Sequence, residues 1–367
     1  MRQAFLLTPT LLVLCFVLSA GPAHTEAIKT NLKPDEIVQL ANATALIDGQ
    51  TALVRVHAYV FERELRPGAR YAFEQYLGID ADALSSDQRS NYRERTALML
   101  IDAERSKRLF VAGDSGPDIQ LPRTNSQGVV SARVSLPISA QAKAAGWLSY
   151  SVSGPTQRFS GRAQIVPDRG TSIISDIDDT IRDTHVLNRH EMLLNTFVRE
   201  LKAVPGMAAL YQNALQTPGV RIHYLSNAPH ALYPLLQQFF AEAGFPEGSV
   251  HPRAISASSA GWAKLFKADL LDSHKAVVIK TLMQDFPDRS FVMIGDTGEQ
   301  DPAIYGAIAR KYPARVRMIL LHDVTGEKRK SARYDKELRG IPSSNWQLFK
   351  QASALSLANL KLEQASP

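Results

Sequence analysis

Two acidic residues, two positions apart, follow a short apolar run in this sequence, and their types suit phosphoryl transfer. Asp176 and Asp178 stand in the segment Asp176–Thr180, directly after Ile173–Ser175. If a buried strand ends there, both side chains project beyond its carboxyl edge, where open α/β sheets bind ligands. One carboxylate can attack phosphorus and the other can transfer protons, provided that a divalent cation offsets the repulsion. The same spacing also occurs in calcium loops and in plain acidic turns.

A second polar site follows the apolar segment Val220–Asn227. This segment reads as a strand that ends in the hydroxyl of Ser226 and the amide of Asn227. A serine at that end of a strand can donate a hydrogen bond to a phosphate oxygen. The alternative is a simple helix cap, because Ser and Asn are good N-caps and Pro229 suits a first helical turn.

A lysine stands in the first turn of a predicted helix. Asp272 or Ser273 is the expected cap, and Lys275 follows. The helix is amphipathic because four apolar residues recur at positions i, i+3, i+4 and i+7: Ile279, Leu282, Met283 and Phe286. Cations are disfavoured near the positive end of a helix, so Lys275 calls for an anion or a carboxylate nearby. The alternative is an exposed lysine that extends into water.

The last acidic pair follows a fully apolar run. Phe291–Asp296 ends in Gly-Asp, and Asp301 stands five residues further on. This spacing offers one metal ligand and one supporting carboxylate. A turn with solvated acids is the alternative, but the apolar run before Asp296 favours a buried central strand.

These four segments, taken in order, resemble the haloacid dehalogenase superfamily of phosphohydrolases. Within it, they are most similar to the actin-patch-protein type of phosphatidate phosphatase. The residues that carry the resemblance are Ser175–Ile181, Tyr224–Pro229, His274–Lys275 and Ile294–Tyr305. It covers about residues 170–325. It implies an α/β, Rossmann-like haloacid dehalogenase fold with a parallel sheet.

The resemblance also implies roles for the first motif. Asp176 corresponds to the nucleophile that forms an aspartyl-phosphate. Asp178 corresponds to the general acid and then base, with its backbone carbonyl on the metal. Thr180 corresponds to a structural support of the catalytic loop.

The other motifs supply the phosphate and metal sites in the same resemblance. Ser226, Asn227 and Lys275 correspond to the residues that hold the phosphate, and Lys275 also neutralises Asp176. Asp301 corresponds to an outer carboxylate that orients a metal-bound water or Lys275. The implied cofactor is Mg²⁺, and its implied ligands are Asp176, Asp178 and Asp296. Four clustered acids need a divalent ion and a lysine to be tolerated.

The spacing between motifs limits the size of any lid over the site. Asp176 and Ser226 are 50 positions apart, and Ser226 and Lys275 are 49 apart. Each gap holds a helix or two and a strand, and Arg182–His190 has room only for a short flap. The sequence therefore predicts no large cap and a substrate too large to enclose, such as a lipid, a protein or a polymer. A cap supplied by the amino-terminal domain would remove that argument.

The first residues predict export. A short positive start, the apolar stretch Ala4–Leu18 and small residues up to Ala23 are typical of a secretory signal, residues 1–23. A membrane anchor is the alternative. Cys15 is the only cysteine and lies inside this segment, so the mature chain has none. A chain without disulfides suits a periplasmic protein of a Gram-negative bacterium.

The charge of the chain restricts its partners only weakly. The formal net charge is +6 and the pI is about 9.3, but the basic residues are dispersed. Such a surface is compatible with lipid headgroups. We expect no nucleic-acid partner, because no nucleic-acid motif is visible. The resemblance implies a phospholipid substrate at a membrane surface.

The remaining sequence divides into three parts. Residues 28–168 read as a β-sandwich-like domain, with an alternating strand at 53–60, further strands at 107–111, 128–136, 147–153 and 162–166, and a helical insertion at 70–103. Residues 170–342 form the predicted phosphatase domain. Residues 343–367 are predicted to hold a helix from about Asn345 and a tail, packed on the core or, alternatively, on a membrane surface.

The function predicted from these features is Mg²⁺-dependent hydrolysis of a phosphomonoester, with phosphatidate as the favoured substrate. One alternative is an exported phosphatase for soluble or protein-borne phosphate. A second alternative is a non-catalytic envelope or lipid-binding protein.

Overall fold

The computed structural model describes residues 30–63, 68–253 and 274–362. These residues form fifteen strands in two sheets, with ten α-helices. The predicted signal segment and the predicted helix caps Asp272 and Ser273 lie outside the described residues. None of the helices that the structure describes combines the length and apolarity that crossing a bilayer requires.

The amino-terminal sheet has nine strands, mostly antiparallel. They are β1 (Glu36–Leu40), β2 (Ala43–Asp48), β3 (Thr51–Glu62), β4 (Asp102–Ala103), β5 (Phe110–Ala112), β6 (Ile119–Gln120), β7 (Val129–Pro137), β8 (Trp147–Ser153) and β9 (Arg158–Ile165). The order is β1-β3-β2-β9-β8-β5-β6, and β4 and β7 also pair with β3. The predicted strands are present with shifted ends. All nine strands belong to one hydrogen-bonded sheet, and its division into a β-sandwich stays a prediction.

Alternation along β3 explains how this sheet builds its core. Val54, Val56 and Ala58 are fully buried, whereas Arg55 and His57 on the opposite face are only partly buried. Successive side chains of a strand point to opposite faces, so this pattern buries one face and leaves the other for polar contacts. As shown below, those polar contacts reach the second sheet.

The predicted helical insertion is present between β3 and β4. It contains helices α1 (Ala69–Leu77) and α2 (Ser86–Leu98). Ser85 starts α2 through a reciprocal capping box with Gln88. The insertion packs Phe73 edge-on against Phe197 of the following domain, with ring centroids 5.9 Å apart.

The second sheet is parallel throughout and has six strands. They are β10 (Thr171–Asp176), β11 (Arg221–Pro229), β12 (Ser249–Arg253), β13 (Ser290–Asp296), β14 (Val316–His322) and β15 (Trp346–Phe349), in the order β12-β11-β10-β13-β14-β15. β10 and β13 are buried along their whole length, as expected for central strands covered on both faces. The structure is therefore an α/β fold with a parallel sheet.

Helices cover the parallel sheet and connect its strands. They are α4 (Arg189–Phe197), α5 (Met207–Leu215), α6 (Tyr233–Glu242), α7 (His274–Asp285), α8 (Asp301–Lys311), α9 (Ala332–Glu337) and α10 (Leu357–Leu360), while α3 (Ala140–Ala145) belongs to the amino-terminal sheet. The amphipathic prediction for α7 is confirmed, because Ile279, Leu282, Met283 and Phe286 are all buried.

The predicted carboxyl-terminal helix from Asn345 is wrong over most of its length. Residues Trp346–Phe349 form strand β15, which pairs in parallel with Ile319–His322 of β14. Only Leu357–Leu360 is α-helical in the tail that the structure describes. The free edge of β14 supplies backbone partners that a local helical pattern cannot reveal, so tertiary pairing overrides the local preference.

Polar contacts fix the amino-terminal sheet to the parallel-sheet domain. Arg55 donates two hydrogen bonds to Asp285 of α7, at 2.7 and 2.8 Å, and Arg133 adds an ion pair to the same carboxylate. His57 stacks on His230, with ring centroids 4.4 Å apart and their Nε2 atoms 2.5 Å apart. The helix that carries Lys275 is thus tied to the first domain.

Candidate active site

The sequence-predicted residues meet at the carboxyl edge of the parallel sheet. Asp176 ends β10 and Asp296 ends β13, and these strands are direct neighbours. Ser226 lies in the last part of β11, on the other side of β10. Lys275 lies in the first turn of α7 and is buried. Parallel strands end at a common edge, so residues far apart in sequence converge there.

Lys275 is the central cation of this site. Its Nζ lies 2.9 Å from Asp176 Oδ1, 3.0 Å from Glu299 Oε2 and 2.7 Å from Asp301 Oδ1. Burial alone would lower its pKa, but the charges of Asp176, Asp301 and Glu299 outweigh burial and raise the pKa well above its usual value. Lys275 is therefore held as the ammonium ion, and it is not the exposed lysine of the alternative interpretation.

Asp176 is a buried carboxylate in an acidic environment. Burial raises its pKa most, Lys275 opposes the rise, and Asp301, Glu299 and Asp296 add to it. Thr180 lies with its Oγ1 3.4 Å from Asp176 Oδ2, which agrees with a supporting position in the loop. These four carboxylates carry more negative charge than the single ammonium group of Lys275 can neutralise.

Asp296 has one satisfied oxygen and one unsatisfied oxygen. Its Oδ1 accepts hydrogen bonds from the backbone N–H groups of Gly298 at 2.5 Å and Glu299 at 3.0 Å. Its Oδ2 is buried and has no hydrogen-bond partner among the described residues. Burial, Asp301 and Glu299 raise the pKa of Asp296 well above its usual value. A buried acceptor without a partner indicates that a ligand, such as a donor group or a cation, binds there.

Three carboxylates at this point suit a metal ion. One oxygen each from Asp176, Asp296 and Glu299 lies within 4.8 Å of the other two. Hard divalent cations such as Mg²⁺ prefer oxygen ligands of this kind. A cation would also satisfy Asp296 Oδ2 and offset the excess negative charge. The residues present therefore fit a divalent cation.

Asp301 begins helix α8 and supports both Lys275 and the strand end. Its Oδ1 accepts from Lys275, and its Oδ2 accepts from the backbone N–H of Asp296 at 3.3 Å. A Cβ on Gly295 would lie 2.1 Å from Asp301 Oδ2, so only glycine allows this approach. The Gly-Asp pair of the motif thus has a steric reason.

The Asp178 carboxylate is directed to a different set of partners. Arg182 donates two hydrogen bonds to its Oδ1, one of them 3.1 Å long, and Thr184 Oγ1 donates a third at 2.8 Å. Burial raises the pKa of Asp178, but Arg182, Thr184 and the charge of Lys275 outweigh it and lower the pKa. Asp178 is therefore an ionised carboxylate in this state.

Ser226 and Asn227 lie beside the cluster, in strand β11. Ser226 is buried, and its Oγ accepts a hydrogen bond from the backbone N–H of Ala228 at 3.0 Å. Asn227 Nδ2 donates to Glu299 Oε2 at 3.0 Å. The helix-cap alternative for Ser226 is wrong, because Pro229 takes that position before the short 3₁₀ helix His230–Leu232.

Sequence reasoning missed three residues of this site. Glu299 joins Lys275, Asn227 and the carboxylate triplet, although the motif analysis gave it no role. Arg182 and Thr184 hold Asp178. The sequence signal for Arg182 and Thr184 was their position four and six residues after Asp178, because a tight loop can bring side chains at such spacings into contact.

Asp179 stabilises the loop that brings Arg182 and Thr184 back to Asp178. It adopts a left-handed backbone conformation, with φ of 50°. Its carboxylate accepts three backbone hydrogen bonds, each 2.7 Å long, from the N–H groups of residues 184–186. Aspartate tolerates this conformation better than most residues because its side chain bonds to nearby backbone. The loop after the first motif is thereby closed against the sheet edge.

Comparison with known proteins gives the same assignment for this region. Residues 171–323 match the family described as "Phosphatidate phosphatase APP1, catalytic domain". The chain is 28% identical over 179 residues to the phosphatidate phosphatase APP1 of Saccharomyces cerevisiae, covering 48% of this chain and 30% of that protein. It is 27% identical over 173 residues to an uncharacterised protein of Schizosaccharomyces pombe, covering 46% and 28%.

The resemblance to this type of phosphatase is therefore confirmed, and it supports an enzyme of the phosphatase class. The chain spans less than a third of the length of either curated relative. A solved structure, a sialyltransferase from Photobacterium damsela, shares 9% identity and a TM-score of 0.23, covering 59% of this chain and 37% of that one. A TM-score that low carries no structural argument.

Proposed function

We propose that this protein hydrolyses phosphate monoesters through an aspartyl-phosphate, and that its substrate is phosphatidate, which yields diacylglycerol and phosphate. The observation that carries the proposal is the meeting of Asp176, Lys275 and Asp296 at one sheet edge. The match of residues 171–323 to a phosphatidate phosphatase catalytic domain supports the lipid substrate. The chemistry and the substrate are tested separately below.

The first half of the reaction transfers the phosphoryl group to the protein. A carboxylate oxygen of Asp176 forms a bond to phosphorus, and the bond from phosphorus to the ester oxygen breaks. Asp178 supplies a proton to the departing alkoxide. Because Arg182 and Thr184 favour the ionised form of Asp178, Asp178 must leave these partners and bind a proton before this step.

The second half hydrolyses the aspartyl-phosphate. Asp178, now a carboxylate, takes a proton from a water molecule whose oxygen attacks phosphorus. The bond between phosphorus and the Asp176 oxygen breaks, and inorganic phosphate and free Asp176 result. The contact of Asp178 with Arg182 keeps Asp178 in the ionised form from which this step starts.

A divalent cation, proposed to be Mg²⁺, belongs to the same reaction. Asp176, Asp296 and Glu299 would hold it, together with the backbone carbonyl of Asp178 that the resemblance implies. When bound, it supplies charge neutralisation that lets a carboxylate approach a phosphate. Glu299 would thus be a fourth protein ligand, in addition to the three that the resemblance implies.

Phosphate binding is assigned to Lys275, Ser226 and Asn227. Lys275 brings a fixed positive charge beside Asp176. Ser226 and Asn227 offer a hydroxyl and an amide at the neighbouring strand. Asn227 contacts Glu299 in the present structure, so phosphate binding requires Asn227 or Glu299 to exchange a partner.

The proposal includes the organisation of the chain. Residues 170–342 would form a haloacid-dehalogenase-like phosphatase domain without a large cap, and residues 28–168 a β-sandwich-like domain before it. Residues 1–23 would direct export to the periplasm, which supports access to phospholipid at a membrane surface. Fractionation of cells that make the full-length protein tests the export, and retention in the cytoplasm would contradict it.

The first experiment measures phosphate release by the full-length protein from phosphatidate vesicles. It is run with Mg²⁺, with a chelator, and with the variant Asp176→Asn, which keeps the shape of the side chain and removes the nucleophile. We expect loss of activity with the chelator, and a fall of at least about 10³-fold in the variant. Asp114→Asn, at an exposed aspartate of the amino-terminal domain, is the matched control.

A soluble aryl phosphate separates chemistry from substrate. Metal-dependent release from both substrates supports the whole proposal. Release from the aryl phosphate alone would keep the mechanism and replace phosphatidate with a soluble or protein-borne phosphate. Equal activity of Asp176→Asn and the unaltered protein would overturn the assignment of the nucleophile.

A further inference from the structure

A large cavity lies beside the catalytic edge and has no role in the chemistry described so far. Its volume is about 990 Å³, near the upper end of the usual range of about 300–1,000 Å³ for ligand pockets. It is bounded by the loop of residues 183–188, by α5 and by the carboxyl-terminal segment of residues 350–357. The residues that shape it come from four separate stretches of the chain, 179–188, 204–213, 322–324 and 350–357.

The cavity adjoins the loops at the catalytic edge. His322, which lines it, is the strand partner of Asp296. A Cβ built on Gly298 would lie 3.0 Å from Asp296 Oδ1 and 3.0 Å from the Cγ2 atom of Val324, which also lines the cavity. Asp179, three residues after the proposed nucleophile, is a further lining residue. The cavity is thus continuous with the loops that hold the site.

The inner wall of the cavity is apolar. Val204, Leu210 and Leu355 line it and belong to the buried core beneath the parallel sheet. At the rim, Leu187 is 60% exposed and Leu357 is 42% exposed. Only two other large apolar side chains are as exposed in the described part of the chain, so half of these exposed groups gather at one opening. Clustered exposed apolar groups mark a binding surface.

The charges of the lining do not suit a phosphate. Lys350 is the one lysine among the lining residues, whereas Asp179, Asp183 and Asp323 are acidic. Lys350 also lies 3.9 Å from Asp323 and is partly neutralised by it. Excess acidic charge disfavours a phosphate dianion in the cavity, whereas the apolar inner wall favours an apolar occupant.

We propose that this cavity binds an acyl chain of the phospholipid while its phosphate lies at Asp176 and Lys275. This inference rests on the proposed function and adds the part of the substrate that the motifs do not address. The cavity explains how a site without a large cap selects a lipid phosphate, since burial of each methylene of the acyl chain strengthens binding. The rim leucines Leu187 and Leu357 lie where the chain enters.

The test uses soluble alkyl phosphates from butyl to dodecyl, measured below their aggregation limits. For the unaltered protein we expect kcat/KM to rise by up to about fourfold for each methylene that the cavity buries, until the cavity is filled. The variant Ala209→Trp introduces a ring at an exposed position of α5 on the cavity wall. It should flatten this dependence on chain length.

The matched control is Ala144→Trp, at an exposed alanine of α3 outside the cavity. It should keep both the activity and the dependence on chain length. A second pair, Leu357→Asp at the rim and Tyr71→Asp at an exposed position of α1 that does not line the cavity, repeats the comparison without a bulky ring. Circular dichroism of each variant confirms that it is folded.

The outcomes separate the cavity from the catalytic proposal. Affinities of the alkyl phosphates, measured by calorimetry with Asp176→Asn, give the dependence on chain length without turnover. If no phosphate ester is hydrolysed but affinity rises with chain length, the proposed reaction fails and the cavity assignment stands. If hydrolysis occurs with no dependence on chain length, or if Ala209→Trp leaves that dependence unchanged, the cavity assignment is overturned.

Discussion

Two buried groups of carboxylates, one in each domain, look alike in composition and differ in balance. In the amino-terminal domain, Glu36, Glu62 and Glu104 approach one another closely enough to hold a cation. Two lysines already neutralise them. Lys107 is ion-paired with Glu36 and Glu104, and Lys33 lies 2.6 Å from Glu62. We call these five residues the amino-terminal cluster.

The second group, here named the catalytic cluster, contains Asp176, Asp296, Glu299 and Asp301 around Lys275. A single ammonium group contacts three of these four carboxylates, and the fourth, Asp296, has an Oδ2 atom with no partner among the described residues. The amino-terminal cluster has two cations for three carboxylates. A cluster in which cations nearly offset the carboxylates is structural. Excess negative charge and an unsatisfied oxygen instead indicate a ligand-binding site.

The position of each cluster in its sheet explains the difference. The acids of the amino-terminal cluster come from β1, β3 and the segment after β4, and the adjoining loops place Lys33 and Lys107 beside them. The acids of the catalytic cluster converge at the carboxyl edge of parallel strands. That edge leaves an open crevice, so a ligand can reach it.

Replacing the lysine of each cluster gives the largest expected contrast in stability. Lys275→Met should lower the free energy of unfolding at neutral pH by about 3–5 kcal/mol, because it leaves buried carboxylates without a cation. Lys107→Met should cost about 1–3 kcal/mol, since Lys33 still neutralises Glu62. Chemical denaturation in the presence of a chelator measures both. Equal losses of unfolding free energy would show that the two clusters do not differ in how far lysines neutralise their carboxylates.

Protonation of the histidines between the two domains should weaken the protein in acid. Burial, with the charges of His274 and Arg55, lowers the pKa of His57 to about 4, and burial also lowers the pKa of His230. A depressed histidine pKa favours the neutral folded form. The stability that each neutral histidine contributes is therefore complete above about pH 6.5 and is lost as the pH falls towards 4, by at most about 1.4 kcal/mol per pH unit for each histidine.

The measurement is the free energy of unfolding from pH 8 down to about pH 4, the value to which the pKa of His57 is lowered. His57→Gln, which keeps a hydrogen-bonding group opposite His230, should give a shallower decline. His190→Gln, at an exposed histidine of α4, is the control and should leave the slope unchanged. A slope unaffected by His57→Gln would assign the acid sensitivity to other groups.

Added Mg²⁺ should stabilise the protein through the catalytic cluster alone. A ligand that binds only the folded state adds about 2.7 kcal/mol at a concentration one hundred times its Kd. Asp296→Asn should abolish this gain, because it removes the carboxylate with the unsatisfied oxygen. Glu36→Gln should retain it. If Glu36→Gln abolished the gain and Asp296→Asn did not, the cation would belong to the amino-terminal cluster.

The contact between the two domains should have the smallest effect. Asp285→Asn weakens the hydrogen bonds from Arg55 and removes the charge opposite Arg133, and it should cost about 1–2 kcal/mol. The same helix begins beside Lys275, so we also expect a modest fall in kcat for the aryl phosphate. Asp288→Asn, at an exposed position in the turn after that helix, is the control. A fall in kcat with the control as well would separate activity from the domain contact.

Much of the candidate site could be predicted because its signals are local. Asp176 and Asp296 each end an apolar run, and such a run predicts a buried strand with its last residue at the sheet edge. Lys275 follows a helix start, and the buried stripe of α7 was readable from spacing. These features depend on neighbours in sequence, so no knowledge of the tertiary contacts was required.

The remaining parts of the site depend on contacts between distant segments. Glu299 reaches Lys275 and Asn227 across 24 and 72 positions. Strand β15 forms because β14 offers an unpaired edge, although its local sequence suggested a helix. The cavity beside the site combines residues from four separate regions of the chain.

The sequence alone thus determined the parallel α/β class, the order of the motifs and most of the residues at the sheet edge, since apolar periodicity and strand ends are properties of short segments. Only the tertiary structure decided which carboxylates share Lys275, why Asp178 is ionised and where the cavity beside the site lies. Those outcomes depend on distances between side chains that are far apart in sequence. Electrostatic energies and cavity shape change within a few ångströms, and local pattern carries no information at that scale.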